Sequence, residues 1–159
     1  MTDGEFRMSF NRHGPELMAE AERIVKPQYP TAVQVENLGT SSLGSAVMAE
    51  DIDQWKFVFT DIDGLETITL DYARGKFGKA VREARPWIKT IIKELPRNLP
   101  LSQALSSLRS AGYNEPLVSV TLRAPFPSEK AATYVFQMKK KTVYMDALGG
   151  EVTRVVEEA

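Results

Sequence analysis

The chain has no cysteine in its 159 residues, and that absence removes disulfides, thiolate metal ligands and cysteine nucleophiles together. Histidine is almost as scarce. His13 stands alone, so a histidine metal cluster or a Ser-His-Asp relay would depend on one residue near the start. Neither sign of charge is in excess: 20 Lys+Arg against 21 Asp+Glu leave a formal net charge of -1. A nearly neutral total argues against a dedicated nucleic-acid binder. Long apolar runs are missing too, and no stretch approaches the roughly 18 consecutive apolar residues that a spanning helix needs, so no membrane-spanning segment is expected. The acidic start, Met1-Thr2-Asp3-Gly4-Glu5, lacks an apolar signal core. As written the protein is expected in the cytoplasm, or in the periplasm or outside the cell if a leader has been removed. Gly39, Gly44, Gly75 and Gly78 compose neither a phosphate loop nor a dinucleotide fingerprint. Ser41, Ser42, Ser106 and Ser107 lack a nucleophile-elbow pattern. No cofactor is expected.

What is present is apolar material, 43% of residues, enough for one sizeable core or two small units sharing one. Behind Pro15, Leu17, Met18, Ala21, Ile24 and Val25 recur at helical spacing, which predicts a helix over residues 16–25, closed by Lys26-Pro27. Residues 31–36 alternate as a half-buried strand. Residues 37–46 turn to Gly, Ser, Thr and Asn and read as a loop anchored by Leu38 and Leu43. Trp55, Phe57 and Phe59 then share a strand face, Asp61-Ile62-Asp63-Gly64 supplies turn chemistry, and Ile68, Leu70 and Tyr72 return on one side. That is a hairpin over residues 54–72.

Val81, Trp87, Ile88, Ile91, Ile92 and Leu95 form an apolar stripe, predicting a helical linker over residues 79–95. Pro96-Arg97-Asn98-Leu99-Pro100 breaks the chain. Leu101, Ala104, Leu105 and Leu108 give a second helix over residues 101–111, stopped by Gly112. A strand follows over 117–123. Tyr134, Phe136 and Met138 share one face, continued by Val143 and Met145 across the Lys139-Lys140-Lys141 turn. Val152, Val155 and Val156 form a last short strand or a helical turn.

The resulting fold class is α+β: tandem units of a helix plus an antiparallel three-stranded meander, packed through a linker helix. The bounds are an N-terminal arm over 1–14, a first unit over 15–78, a linker over 79–99 and a second unit over 100–159. Neither unit covers its apolar face alone, so the two sheets are expected to pack together or against the linker.

Tyr134-Val135-Phe136, the polar turn, and the run from Thr142 through Asp146-Ala147-Leu148-Gly149-Gly150-Glu151-Val152 resemble the PepSY and PepSY-like group of small domains. Their ending reads as aromatic-valine-aspartate-alanine, a glycine turn, then glutamate-valine. The likeness covers about residues 100–152 and is weaker over 15–77, where residues 37–53 are an insertion and no Asp-Ala precedes the glycine turn. A tandem arrangement is also similar to beta-lactamase inhibitory proteins, though without their cysteine pairs. Members of the PepSY group are thought to bind or inhibit proteases or to act as envelope modules. The resemblance therefore implies a non-enzymatic protein- or peptide-binding module, inhibitory or regulatory, acting by steric occlusion or sheet-face docking. It carries no catalytic residue onto this chain.

Candidate chemistry is thin. Asp61, Asp63 and Glu66 could set hard oxygens around calcium, and with Asp51 and Asp53 they could serve a small metal-dependent or acid–base hydrolase. Turn design and solubility explain the same carboxylates. Lys139, Lys140 and Lys141 suit either an acidic partner or a charged hairpin tip that keeps the sheet soluble. Leu38, Leu43, Trp87, Phe126 and Tyr144 make up the candidate partner surface, with Tyr144 opposite Val143 and Met145 in the alternation. A third reading is a homo-oligomeric structural module, a homodimer whose exposed sheet edge pairs with itself.

Overall fold

A computed structural model describes residues 15–60, 65–86, 98–125 and 129–158. Helix α1 (Pro15–Val25) buries Leu17, Ala21 and Val25, which the four-residue spacing stacks on one side. Helix α2 (Leu101–Ser110) does the same with Leu101, Ala104, Leu105 and Leu108. It ends where Gly112, at φ 98°, takes the left-handed conformation that a side chain would resist.

Each helix leads into an antiparallel meander. After α1 come β1 (Val33–Thr40), a 3-10 turn (Ala49–Asp51), β2 (Gln54–Thr60), β3 (Thr67–Ala73), β4 (Lys76–Phe77) and β5 (Val81–Glu83). After α2 come β6 (Leu117–Arg123), β7 (Thr133–Met138), β8 (Lys141–Asp146) and β9 (Val152–Glu157). Arg74 and Gly75, both at positive φ, make the two-residue turn that folds β4 back on β3. At the corresponding turn after β8, the Asp146 carboxylate accepts from the amides of Leu148 and Gly149 at 2.8 and 2.9 Å. Gly150 then passes against α2 so closely that a Cβ there would lie 2.9 Å from Ser107 Oγ. The Asp-Ala-Leu-Gly-Gly run is thus a turn that closes a strand pair and seats it on a helix.

The strands form one antiparallel sheet in the order β4-β3-β2-β1-β6-β7-β8-β9, with β5 also paired to β3. The order is a palindrome about the β1–β6 junction, where Glu36 pairs with Arg123, Leu38 with Thr121 and Thr40 with Ser119. Both helices lie on the same side. Gln34 Nε2 donates to the Met18 carbonyl of α1 at 3.2 Å, and the Tyr134 hydroxyl donates to the Leu99 carbonyl at 2.6 Å, just ahead of α2. The aromatic rings face that side. Trp55 stacks on Phe57 and Tyr134 on Phe136, with centroids 6.1 and 5.6 Å apart, and one continuous apolar cluster runs beneath both helices.

Three sequence expectations change. Val81–Glu83, assigned to the helical linker, is instead strand β5, paired with Thr67, Ile68 and Thr69. Residues 87–97 of that linker lie outside the described residues. Asn37, Leu38, Gly39 and Thr40 are strand rather than loop, because β1 is paired on both sides and those ladders outweigh the poor strand propensity of Asn and Gly. The meanders, expected to pack as two sheets together or against the linker, instead join edge to edge through β1 and β6 into one sheet. A bulge between Gln34 and Glu36 also breaks the simple alternation, so Gln34, Val35 and Asn37 are all buried.

Candidate functional site: the open face of the sheet

The helices cover one face of the sheet, and pairing register shows what crosses the other. From one side to the other the residues directly opposite one another are Asp71, Lys56, Leu38, Thr121, Val135, Tyr144 and Arg154. Asp71, Lys56, Leu38 and Arg154 are exposed, and Thr121, Val135 and Tyr144 are half-buried. The row is apolar and aromatic towards its middle and charged at its ends. Two shallow depressions flank the β1–β6 junction on this face. One, of about 350 Å³, includes Leu38, Lys56 and Asp71, and the other, of about 500 Å³, includes Val135, Tyr144, Arg123 and Arg154. In the second, Arg154 lies over the Tyr144 ring at 5.4 Å from its centroid, while Arg123 Nη1 meets Glu129 Oε1 at 2.8 Å. The neighbouring row through Glu36 is less accessible, with Val58 only 8% exposed.

The sequence candidates separate. Leu38 and Tyr144 share the row. Leu43 is 87% exposed but stands in the loop after β1, away from the strands. Trp87 and Phe126 lie outside the described residues. The loop bearing Leu43 is tied down: Ala46 and Leu117 exchange backbone hydrogen bonds at 2.9 and 2.7 Å. Arg109 reaches from α2 to the carbonyls of Val47, Tyr113 and Glu115 at 2.9, 2.9 and 2.6 Å. Partial burial lowers the pKa of that guanidinium, and the Glu115 charge opposes the shift.

The described carboxylates of this cluster each have a local partner. Asp53 accepts from the Ser42 amide and hydroxyl at 2.8 and 2.6 Å. Asp51 accepts from the Met48 and Val47 amides at 2.9 and 3.0 Å, and those bonds hold its carboxyl below the usual aspartate range. Glu66 sits 3.7 Å from Arg82. Asp61 and Asp63 lie outside the described residues. Among the described residues no group of three His, Cys, Asp or Glu is placed to hold a metal ion. At the opposite end of β7, Lys139, Lys140 and Lys141 border a depression of about 660 Å³ floored by Pro116 and Val118. Lys141 pairs with Glu115 at 3.3 Å and lies over Tyr113.

Sequence reasoning missed Lys56, Asp71, Thr121, Val135 and Arg154. No motif marks them, since they become neighbours only through strand register. Alternation within each strand does place them opposite the aromatic side, and the order of the strands supplies the rest.

These features define a class, an α+β protein whose described residues set two helices on one face of a large antiparallel sheet. No family model matches the chain, and no curated protein matches it. A crystal structure of a candidate lipoprotein from Clostridium difficile 630 is similar in fold, with a TM-score of 0.60 and 14% identity over 89% of this chain and 92% of that chain. At that identity the likeness is one of architecture. No helix among the described residues is long and apolar enough to cross a membrane.

Proposed function

We propose that this chain is a non-enzymatic protein- or peptide-binding module, built from two tandem PepSY-like units, whose open sheet face is the binding surface. One observation carries the reading: among the described residues, a broad sheet is covered by helices on one side only. Its other side holds Leu38, Val135 and Tyr144 in a single row across the β1–β6 junction. An aromatic with one polar tip and two aliphatic side chains, rimmed by charges, is the composition of a recognition patch rather than of a plain solvated face. The palindromic strand order supports the reading as two units. Binding there works by occlusion, with no bond made or broken in the partner.

The test is affinity capture from native lysate with the wild-type chain and with the Leu38→Asp, Tyr144→Ala and Leu43→Asp variants, followed by titration of whatever purified protein is retained. A retained protein, the chain itself included, should lose at least tenfold in affinity with Leu38→Asp or Tyr144→Ala and be indifferent to Leu43→Asp. Retention untouched by both row substitutions, or retention of nothing by a chain that also does not associate with itself, would overturn the proposal.

A further inference from the structure

We infer that the occupant of the open face is a second copy of this chain, docked face to face about a twofold axis that runs along the strands. The inference rests on the binding reading above and names its partner. Its basis is the order of the row. A twofold rotation about an axis parallel to the strands reverses the lateral order and keeps the strands aligned, so the first member of the row meets the last. Asp71 then faces Arg154 of the second copy, and Lys56 faces the second copy's Tyr144 ring. Leu38 faces Val135, and Thr121 at the centre faces itself. Within this row each contact is complementary: an ion pair, a cation over a ring, an aliphatic pair and two hydroxyls; Arg123, which the same axis sets opposite its own copy, has its charge met by Glu129 at 2.8 Å. Each occurs twice by symmetry except the central one.

The other in-plane twofold, perpendicular to the strands, is excluded by the same residues. It would set Asp71 against Asp71, Lys56 against Lys56 and Arg154 against Arg154, like charges at all three charged positions of the row. Sequence thus selects one orientation. The selected one is also the aligned arrangement in which sheets pack, about 10 Å apart with strands within roughly 30° of each other. Sheet twist parts the corners of stacked sheets, and the row places its longer Lys, Tyr and Arg side chains towards those ends. Lys56 and Asp71 make no ion pair with each other or with other described residues, so both charges are available. A net charge of -1 adds little long-range repulsion between copies.

The available area falls at the small end of specific interfaces. Six strand spacings of about 4.8 Å and strands about 20 Å long give a face of roughly 600 Å² per copy. A standard interface takes about 800 Å² per partner. The dimer is therefore expected to be reversible, with a dissociation constant on the order of micromolar or weaker.

Sedimentation equilibrium of the full chain from about 1 µM to 1 mM, a range chosen to bracket that constant, tests the inference. A monomer–dimer equilibrium is expected. Asp71→Arg and Arg154→Asp should each weaken it at least tenfold, and the double variant carrying both should recover most of the loss. Leu38→Asp should abolish dimers, and circular dichroism should show each variant folded. A chain that stays monomeric throughout overturns the inference. So does a dimer indifferent to Asp71→Arg and Leu38→Asp, which would mark pairing through the β9 edge. A monomeric chain that still binds a different protein through Leu38 and Tyr144 defeats self-docking and leaves the binding reading standing. Absence of both defeats both.

Discussion

Gly39→Ala adds one methyl group where β1 has no room for it. Gly39 lies between Trp55 of β2 and Val120 of β6 in register, on the helix-covered side. A Cβ there would meet Ile52 Cγ2 at 2.7 Å and the Trp55 ring carbons Cη2 and Cζ3 at 2.9 Å. Carbon atoms prefer separations of about 3.5–4.0 Å, so the indole and the isoleucine must each retreat by most of an ångström. Neither is free to do so, since both are buried and the indole is stacked on Phe57. Overpacking of this kind destabilises by about 1–3 kcal/mol. Alanine recovers about 0.5–1 kcal/mol of that by reducing the backbone freedom of the unfolded chain. The net expectation is a loss of up to about 2.5 kcal/mol, or a fall in melting temperature of up to about 10 °C for a chain of this size. Urea titration followed by tryptophan fluorescence measures it. Gly44→Ala serves as the contrast, because a Cβ at Gly44 touches nothing within 4 Å and its φ of 89° is the sole obstacle. A Gly39→Ala protein as stable as the parent, with unchanged near-ultraviolet dichroism, would refute the packing argument.

Arg109→Ala should cost about 1–3 kcal/mol, since three carbonyls lose a charged donor and only partly regain water, and hydrogen exchange at Ala46 and Leu117 should accelerate. Unchanged protection there would detach Arg109 from the loop. Asp51→Asn should destabilise at neutral pH. Because the folded carboxyl is held below its unfolded value, near 3.9, the difference from wild type should be full above pH 4 and fade as pH falls through the lower folded value. A gap that persists at pH 2 would contradict that cause. Tyr134→Phe removes the 2.6 Å bond to the Leu99 carbonyl and should cost about 1–2 kcal/mol in a denaturation series. Burial raises the phenol's pKa, so its share of wild-type stability is complete below pH 10 and declines above it, a decline the variant should lack.

The elements legible in sequence were those whose burial is periodic. The hairpin of β2 and β3 follows from Trp55, Phe57 and Phe59 against Ile68, Leu70 and Tyr72, and the structure pairs Trp55 with Tyr72 and Phe57 with Leu70. All four apolar positions of α2 face inward as their spacing requires. What could not be read was set by partners distant in sequence. Asn37 and Gly39 look like loop residues until strands on both sides claim their backbone. Val81 fits a helical stripe as well as it fits an edge strand, because three residues are too few for a period to declare itself. The open-face row is half visible in sequence: Tyr144 stands out as an aromatic on the polar side of its strand, whereas Leu38 looks like a loop anchor. Lys56, Asp71 and Arg154 are ordinary surface charges until register lines them up.

The β1–β6 ladder also dictates an order of events at the ribosome. When β2 and β3 have emerged and folded against β1, the outer backbone groups of β1 remain bare, because their partners at Ser119 to Arg123 have not been made. At about 5–20 residues per second the wait is several seconds, long enough for an unpaired strand to attract neighbouring nascent chains. The half-finished protein is therefore the stage at which this molecule most needs a chaperone, and a stop codon ahead of β6 would leave it in that state for good.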